Sequence, residues 1–203
     1  MMPDVRSAHP LNPGDVIFMK SILSLCVAGL ALSAAPAAAA GITYDCDTAA
    51  DHFSELVLPS GSVPFTVSGN VKLNTLAGSK KFVPVTRVQI VDPAAPGQQP
   101  SAAAGFSLGA LPMDAKKSPT GEAVVQMISY SVNGKDDEFL PMSVMTKPGT
   151  VQPFVLTYDG STVAVTLGKE TKSIPMKAAA PALRIMCSTG EFLFTDLTVA
   201  PGR

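Results

Sequence analysis

Apolar side chains recur at every second position along most of this chain, and turn residues break the runs. Val63, Phe65 and Val67 alternate with small or polar residues, and the alternation resumes at Val71 and Leu73 after Gly69-Asn70. Period two puts successive side chains on opposite faces of an extended strand, so each run describes a half-buried strand. The clearest pair is Phe154, Leu156 and Tyr158 ahead of Asp159-Gly160, with Val163, Val165 and Leu167 behind it. Asp-Gly suits a type I′ hairpin turn, whose twist matches that of the strands it joins. A second turn is expected at Asn133-Gly134, after Ile128, Tyr130 and Val132. Residues 82–91 form another extended run, in which Pro84 marks an edge strand or a bulge. The final strand begins near Leu183 and bends at Ser188-Thr189-Gly190 before Phe192 and Phe194. One segment reads as helical: Thr48 as cap, Asp51 at the capping-box position, and Phe53, Leu56 and Val57 on one face. Residues 92–100 and 112–120 are Pro-rich and expected to be loops. Short strands with regular turns and no repeat predict a single antiparallel β-sandwich.

The start of the chain is of a different kind. Met19-Lys20 is followed by an apolar run over residues 22–32, then by Pro36 and by Ala38-Ala39-Ala40 before Gly41. That order fits a secretory signal peptide over residues 19–40, cleaved after Ala40. Residues 1–18 resemble no leader and are expected to lie upstream of the true start at Met19. An uncleaved membrane anchor is the alternative, because residues 22–40 carry no charge; the short apolar core disfavours it. Residues 41–203 are then one domain, periplasmic or secreted. Beyond Cys26 in the leader, the cysteines are Cys46 and Cys187. Two cysteines in an oxidising compartment predict one disulfide, which requires the first and last strands to be neighbours.

The segments 154–161 and 163–168, with 187–199 (Cys-Ser-Thr-Gly-Glu-Phe-Leu-Phe-Thr-Asp-Leu-Thr-Val), resemble the hairpin and closing strand of concanavalin A-like (laminin-G-like) jelly rolls. The resemblance implies an all-β jelly roll and a glycan or protein ligand. That family's calcium ligands match no residue of this chain.

Charge and residue types exclude many functions. Fifteen basic residues against sixteen acidic give no field for nucleic acid. Gly105-Phe106-Ser107-Leu108-Gly109 matches G-x-S-x-G, but the nucleophile elbow needs a strand, a sharp turn and a helix. Here residues 101–104 make a poor buried strand, Pro112 interrupts any helix, and His52 precedes Ser107 where the hydrolase order puts histidine last. Ser107 is therefore expected to be a strand residue. His52 is the one histidine after the leader, which excludes multi-histidine metal sites. Asp136-Asp137-Glu138 are consecutive, so their side chains alternate in direction and read as a solvated loop rather than a carboxylate pair. Asp45, Asp47 and Asp51 lack the glycine and distal glutamate of a calcium loop. Met142 and Met145 have the M-x-x-M spacing of exported copper binders, though Val144 between them favours packing. No metal and no cofactor is expected. The chain has no Trp, which disfavours strong sugar stacking; Tyr158, at the lip of the Asp-Gly hairpin, is the candidate ligand-binding ring. These readings predict a non-catalytic binding protein of the cell envelope, for a glycan or protein. The alternatives are a structural or assembly component of the envelope and a divergent hydrolase.

Overall fold

The computed structural model describes residues 41–76, 79, 81–93, 99–112, 114, 116–117, 124–133, 135–139 and 145–202, with residues 135–139 by backbone alone. The expected leader (19–40), the upstream stretch 1–18 and Met142 lie outside the described residues, as does most of each Pro-rich stretch. Ala38–Arg203 form one compact unit.

Every regular element described is a strand: β1 (Ile42–Pro59), β2 (Phe65–Leu76), β3 (Val85–Asp92), β4 (Ala102–Pro112), β5 (Val124–Val132), β6 (Lys135–Phe139), β7 (Gln152–Tyr158), β8 (Thr162–Leu167), β9 (Glu170–Pro175) and β10 (Ala182–Pro201). All pairings are antiparallel. The organising strand is β10. Its residues 182–188 pair with β3 on one side and with residues 53–59 of β1 on the other. Its residues 190–201 pair with β2 and with residues 42–48 of β1. From β3 the order continues through β4 and β5 to β6, and from β2 through β7 and β8 to β9. The long strands β1 and β10 thus belong to two sheets that fold over one another.

The alternation in the sequence fills the space between those sheets. Val67, Leu73, Ile90, Phe106, Leu108, Ile128, Leu156, Val165, Ile185, Phe192 and Phe194 all point inward and are buried. Each such side chain contributes roughly 1.5–3 kcal/mol by leaving water. The Phe106 ring of the first sheet meets Phe154 of the second at a centroid distance of 5.2 Å, and Phe154 meets Phe194 edge-on at 6.5 Å. Gly69 keeps the β2 alternation in step, with no turn at Gly69-Asn70; a Cβ there would lie 3.2 Å from the Phe154 ring.

The segment read as helical is strand throughout. Thr48 does bind backbone, but at the corner where β1 and β10 cross between sheets. The Thr48 hydroxyl donates to the Gly190 carbonyl at 2.8 Å and accepts from the Gly190 N–H at 3.3 Å. The Asp51 N–H donates to the Thr189 hydroxyl at 3.3 Å. Asp51 and Thr189 both have positive φ, 65° and 57°, which for a β-branched threonine occurs only where surroundings enforce it. Capping residues and bend residues satisfy orphaned backbone groups in the same way, so sequence pattern does not separate them. The expected bend at Ser188-Thr189-Gly190 is present.

Cys46 and Cys187 are disulfide-bonded, with Cα atoms 6.3 Å apart. Cys46 belongs to the second-sheet half of β1 and Cys187 to the first-sheet half of β10, so the bond ties the two sheets together beside the corner.

Three turn expectations are refined. Val132 pairs with Lys135, which leaves the two-residue Asn133-Gly134 connection, with φ of 49° at Asn133. At the other hairpin Tyr158 pairs with Val163, so the loop has four residues rather than the two of a type I′ turn. The Asp159 carboxylate organises it, accepting the N–H groups of Ser161 and Thr162 at 2.7 and 2.8 Å. Pro84 marks no edge or bulge. It stands just before the central strand β3, and its carbonyl accepts the Ala110 N–H at 2.9 Å.

Candidate functional site

The outward faces of the two sheets differ in kind. On the second sheet the outer row is solvated Thr66, Thr157, Thr166, Thr171 and Ser173. On the first sheet the outer positions of β3, β4 and β5 include Gln89, Ser107, Ser129 and Ser131, which are polar and nonetheless buried. Burying polar groups costs free energy unless they find partners, and these four find them in one another.

Strand register fixes the arrangement. Arg87 lies opposite Ser107 on one side and Met186 on the other, and Ser107 lies opposite Ser129. One rung along, Gln89 lies between Gly105 and Arg184, with Ser131 beyond Gly105. The Ser107 and Ser129 hydroxyls are 2.8 Å apart, and Gln89 Nε2 donates to Ser131 Oγ at 3.0 Å. Beside this patch is a cavity of about 340 Å³ lined by Arg87, Gln89, Arg184, Asn133 and Gln99, with Pro100, Ala103 and Met186.

Glu55 of β1 is joined to this lining through Arg184, whose Nε donates to Glu55 Oε1 at 2.6 Å. Asn133 is held at the hairpin, where its Oδ1 accepts the Ala103 N–H at 3.1 Å. The wall formed by Gln99 and Pro100 is tethered through Asp92. Its carboxylate accepts the Ser101 hydroxyl at 3.1 Å and the N–H groups of Ala179 and Ala180 at 3.1 and 3.0 Å. Those bonds, the one from Ala180 foremost, hold the Asp92 carboxyl below its usual range. Two guanidiniums and three amides line the cavity, and one of the guanidiniums, that of Arg184, is paired with Glu55. A planar guanidinium fork matches a carboxylate, and nearby amides can take the remaining lone pairs or hydroxyls.

The residues singled out from sequence are scattered by the fold. Ser107 lies in the middle of β4, facing this patch, and residues 102–104 open that strand with Ala103 and Ala104 buried, contrary to the poor-strand reading. Alanine suffices there because β3 and β5 close over it on both sides. Tyr158 does not project over a surface: it is buried edge-on against Phe65, and its hydroxyl accepts the Ala178 N–H at 3.0 Å. The even-numbered positions of β7 all face inward, and Tyr158 follows that parity. His52 is exposed, with Nδ1 2.9 Å from the Ala50 carbonyl. Asp45 and Asp47 lie along β1, and Asp51 accepts the Ser79 hydroxyl at 2.6 Å at the corner. Among the described residues no group of three or more His, Cys, Asp or Glu could hold a metal. Asp136 registers with Ser131, and Glu138 with Tyr130. Sequence reasoning missed Arg87, Gln89 and Arg184. Their signal was present: Arg87 and Gln89 share one face of an otherwise apolar run, Val85 to Val91.

Among the described residues no helix is long and apolar enough to cross a membrane. No family model matches the chain, and no curated protein sequence matches it. Solved structures do. An alginate lyase, AlgAT5 of polysaccharide lyase family 7, is 13% identical with a TM-score of 0.46 over 71% of this chain and 62% of its own. Scytalido-glutamic peptidase is 15% identical with a TM-score of 0.45 over 73% of this chain and 79% of its own. CG-16, an agglutinin from chicken liver, is 13% identical with a TM-score of 0.40 over 72% of this chain and all of its own. The chain spans about three fifths of the length of the first two alginate lyases it matches. The lyases and the peptidase are named as enzymes, so the expectation of a non-catalytic binding protein with no enzyme activity is not carried forward. At such identities the likeness is one of all-β architecture.

Proposed function

We propose that this chain is a divergent enzyme that cleaves a carboxylate-bearing polysaccharide, on a jelly-roll framework, in the periplasm or outside the cell. One observation carries the reading: Arg87, Arg184, Gln89 and Asn133 converge on one cavity of the first sheet's outer face. In this reading the guanidiniums neutralise a substrate carboxylate, and the amides hold its hydroxyls. Glu55, the partner of Arg184, is the proton acceptor. Hydrolysis needs two carboxyl groups, roughly 5–9.5 Å apart, across the sugar bond. Among the described residues the cavity lining holds no carboxylate, and Glu55 reaches it only through Arg184, so the reading takes elimination with a single base. There Glu55 takes the proton α to the neutralised carboxylate, the C–O bond breaks as a C=C forms, and the leaving sugar oxygen takes a proton from water. The alginate lyases are named for such an acidic polysaccharide, but the reading rests on the cavity. Export with cleavage after Ala40, from a start at Met19, belongs to the same reading; the disulfide supports it, since such bonds persist in oxidising compartments.

The test is incubation of the purified protein with alginate, polygalacturonate, hyaluronan and neutral glucans. Reducing ends and unsaturated products are followed together. The expected result is unsaturated product from an acidic polymer, abolished by Arg87→Ala. Cleavage of neutral glucans alone, or of no polymer, would refute the proposal. N-terminal sequencing of the exported protein checks the start at Gly41.

A further inference from the structure

Strand β1 is outermost in both sheets: among the described strands it pairs with β10 alone. An open strand edge is a template for another strand, and folded proteins blunt such edges with charge. The first half of β1 follows that rule, with Asp45 and Asp47 exposed on its outer face. So does β9, at the far edge of the second sheet, with Glu170 and Lys172. The second half of β1 does not. Phe53 and Val57 are 72% and 45% exposed, and Pro59 follows on the same face. The charge between them, Glu55, is already neutralised by Arg184 of its own chain.

This half has a register that suits a copy of itself. Residues 53–59 pair with β10 without a break, between the bend at Asp51 and the turn at Gly61, and their midpoint is Leu56. A second copy laid antiparallel about a twofold axis at Leu56 pairs the whole run: Phe53 with Pro59, Ser54 with Leu58, Glu55 with Val57. An axis between two residues would set outward side chains against inward ones. An axis at Glu55 would place two carboxylates opposite each other. An axis at Val57 would leave residues 53 and 54 beyond the partner's strand. The Leu56 register puts each Phe53 ring about 5 Å, one strand spacing, from the partner's Pro59. Val57 and Pro59 line an open apolar cavity of about 490 Å³, with Val63, Pro93, Pro181 and Ala182 among its other walls. Each copy thus supplies a ring and receives one, as a twofold contact requires.

We propose that residues 53–59 of β1 are a homodimer interface, in which two copies pair antiparallel about Leu56 and each Phe53 enters the other's apolar cavity. The first sheets of the two copies then run as one. The inference is independent of the polysaccharide reading above.

Sedimentation velocity of the purified protein, from about 1 to 100 µM, reads the association. Wild type is expected to be dimeric at the top of that range. Phe53→Lys changes an exposed position and is expected to weaken the dimer by about thirtyfold or more, the scale of an interface hot spot. Val57→Lys tests the same face if Phe53→Lys does not fold. Oxidative cross-linking in a Cys26→Ser background reads the register. Leu56→Cys is expected to link two copies, and Ser54→Cys, whose two copies lie four residues apart along the strands, is not. If Leu56→Cys does not fold, a mixture of Glu55→Cys and Val57→Cys proteins reads the same register. A monomer at every concentration overturns the proposal. A dimer untouched by both lysine variants, or one that cross-links at position 54 and not at 56, overturns it as well.

Discussion

Replacing both Cys46 and Cys187 by alanine opens a loop closed by residues 141 positions apart. The chain-entropy expression gives about 17 cal/mol/K for a loop of this length, or about 5 kcal/mol at 25 °C. Both cysteines are buried, so the truncation adds a small packing loss, while relaxation at the corner returns part of the total. The expected loss is about 3–5 kcal/mol, and the midpoint of thermal unfolding should fall by about 6–20 °C. Because the cross-link acts mainly on the unfolded ensemble, the denaturant dependence m should rise as that ensemble expands. The chain has no Trp, so urea unfolding is followed by far-UV circular dichroism, with oxidised wild type as reference. A loss below about 1 kcal/mol with unchanged m would refute the reasoning that the bond restrains the unfolded chain. Detection of two thiols in the native protein would refute the bond itself.

Glu55→Gln removes the partner of Arg184 at a partly exposed pair, so stability should change by less than about 1 kcal/mol. Polyanion affinity should rise, since the guanidinium no longer has an internal competitor, while polysaccharide cleavage should fall; titration and product assays check the two effects. Gly105→Ala should cost about 3 kcal/mol or more, because its methyl group meets backbone that cannot yield, and soluble yield with thermal melting reads it. Asp92 has its pKa lowered in the folded state, chiefly by the Ala180 N–H, so its stabilisation is present above the unfolded value and is lost as pH falls through the folded one. Wild type should therefore lose stability more steeply than Asp92→Asn below the ordinary carboxylate value of 3.8, and parallel melting curves would refute this.

Strand identity was legible wherever one face is apolar and the other polar, as in residues 154–158 and 163–167. The disulfide could be read from cysteine number and compartment alone. The corner could not: Thr48 carries the same chemistry in a helix cap and in a bend, and only the position of Gly190 across the sheet decides between them. The hairpin at Asp159-Gly160 was placed correctly but given too short a loop, because the Asp159 carboxylate organises four residues instead of two. The site was hidden for another reason. Arg87 and Gln89 lie about a hundred positions from Arg184, and their convergence depends on β10 lying beside β3. The single-residue candidates that sequence offered, Tyr158 and His52, were chosen by residue type, and parity sends one to the core and leaves the other exposed at the corner.

The position of β10 has a consequence for how the chain acquires its structure. Residues 182–201 hydrogen-bond to β1, β2 and β3, so until they are available the preceding strands form two separate sets, β3 to β6 and β2 with β7 to β9, and β1 lacks the strand it pairs with. Pairing β1 with β10 joins segments from opposite ends of the sequence, the costliest kind of loop closure, and topologies of this kind fold in roughly milliseconds to seconds. A nascent chain still lacking β10 exposes the β3 and β2 edges and the apolar inner faces of both sheets, which makes it a substrate for chaperones and proteases. Truncations within β10 should therefore abolish accumulation of the protein rather than weaken it by degrees.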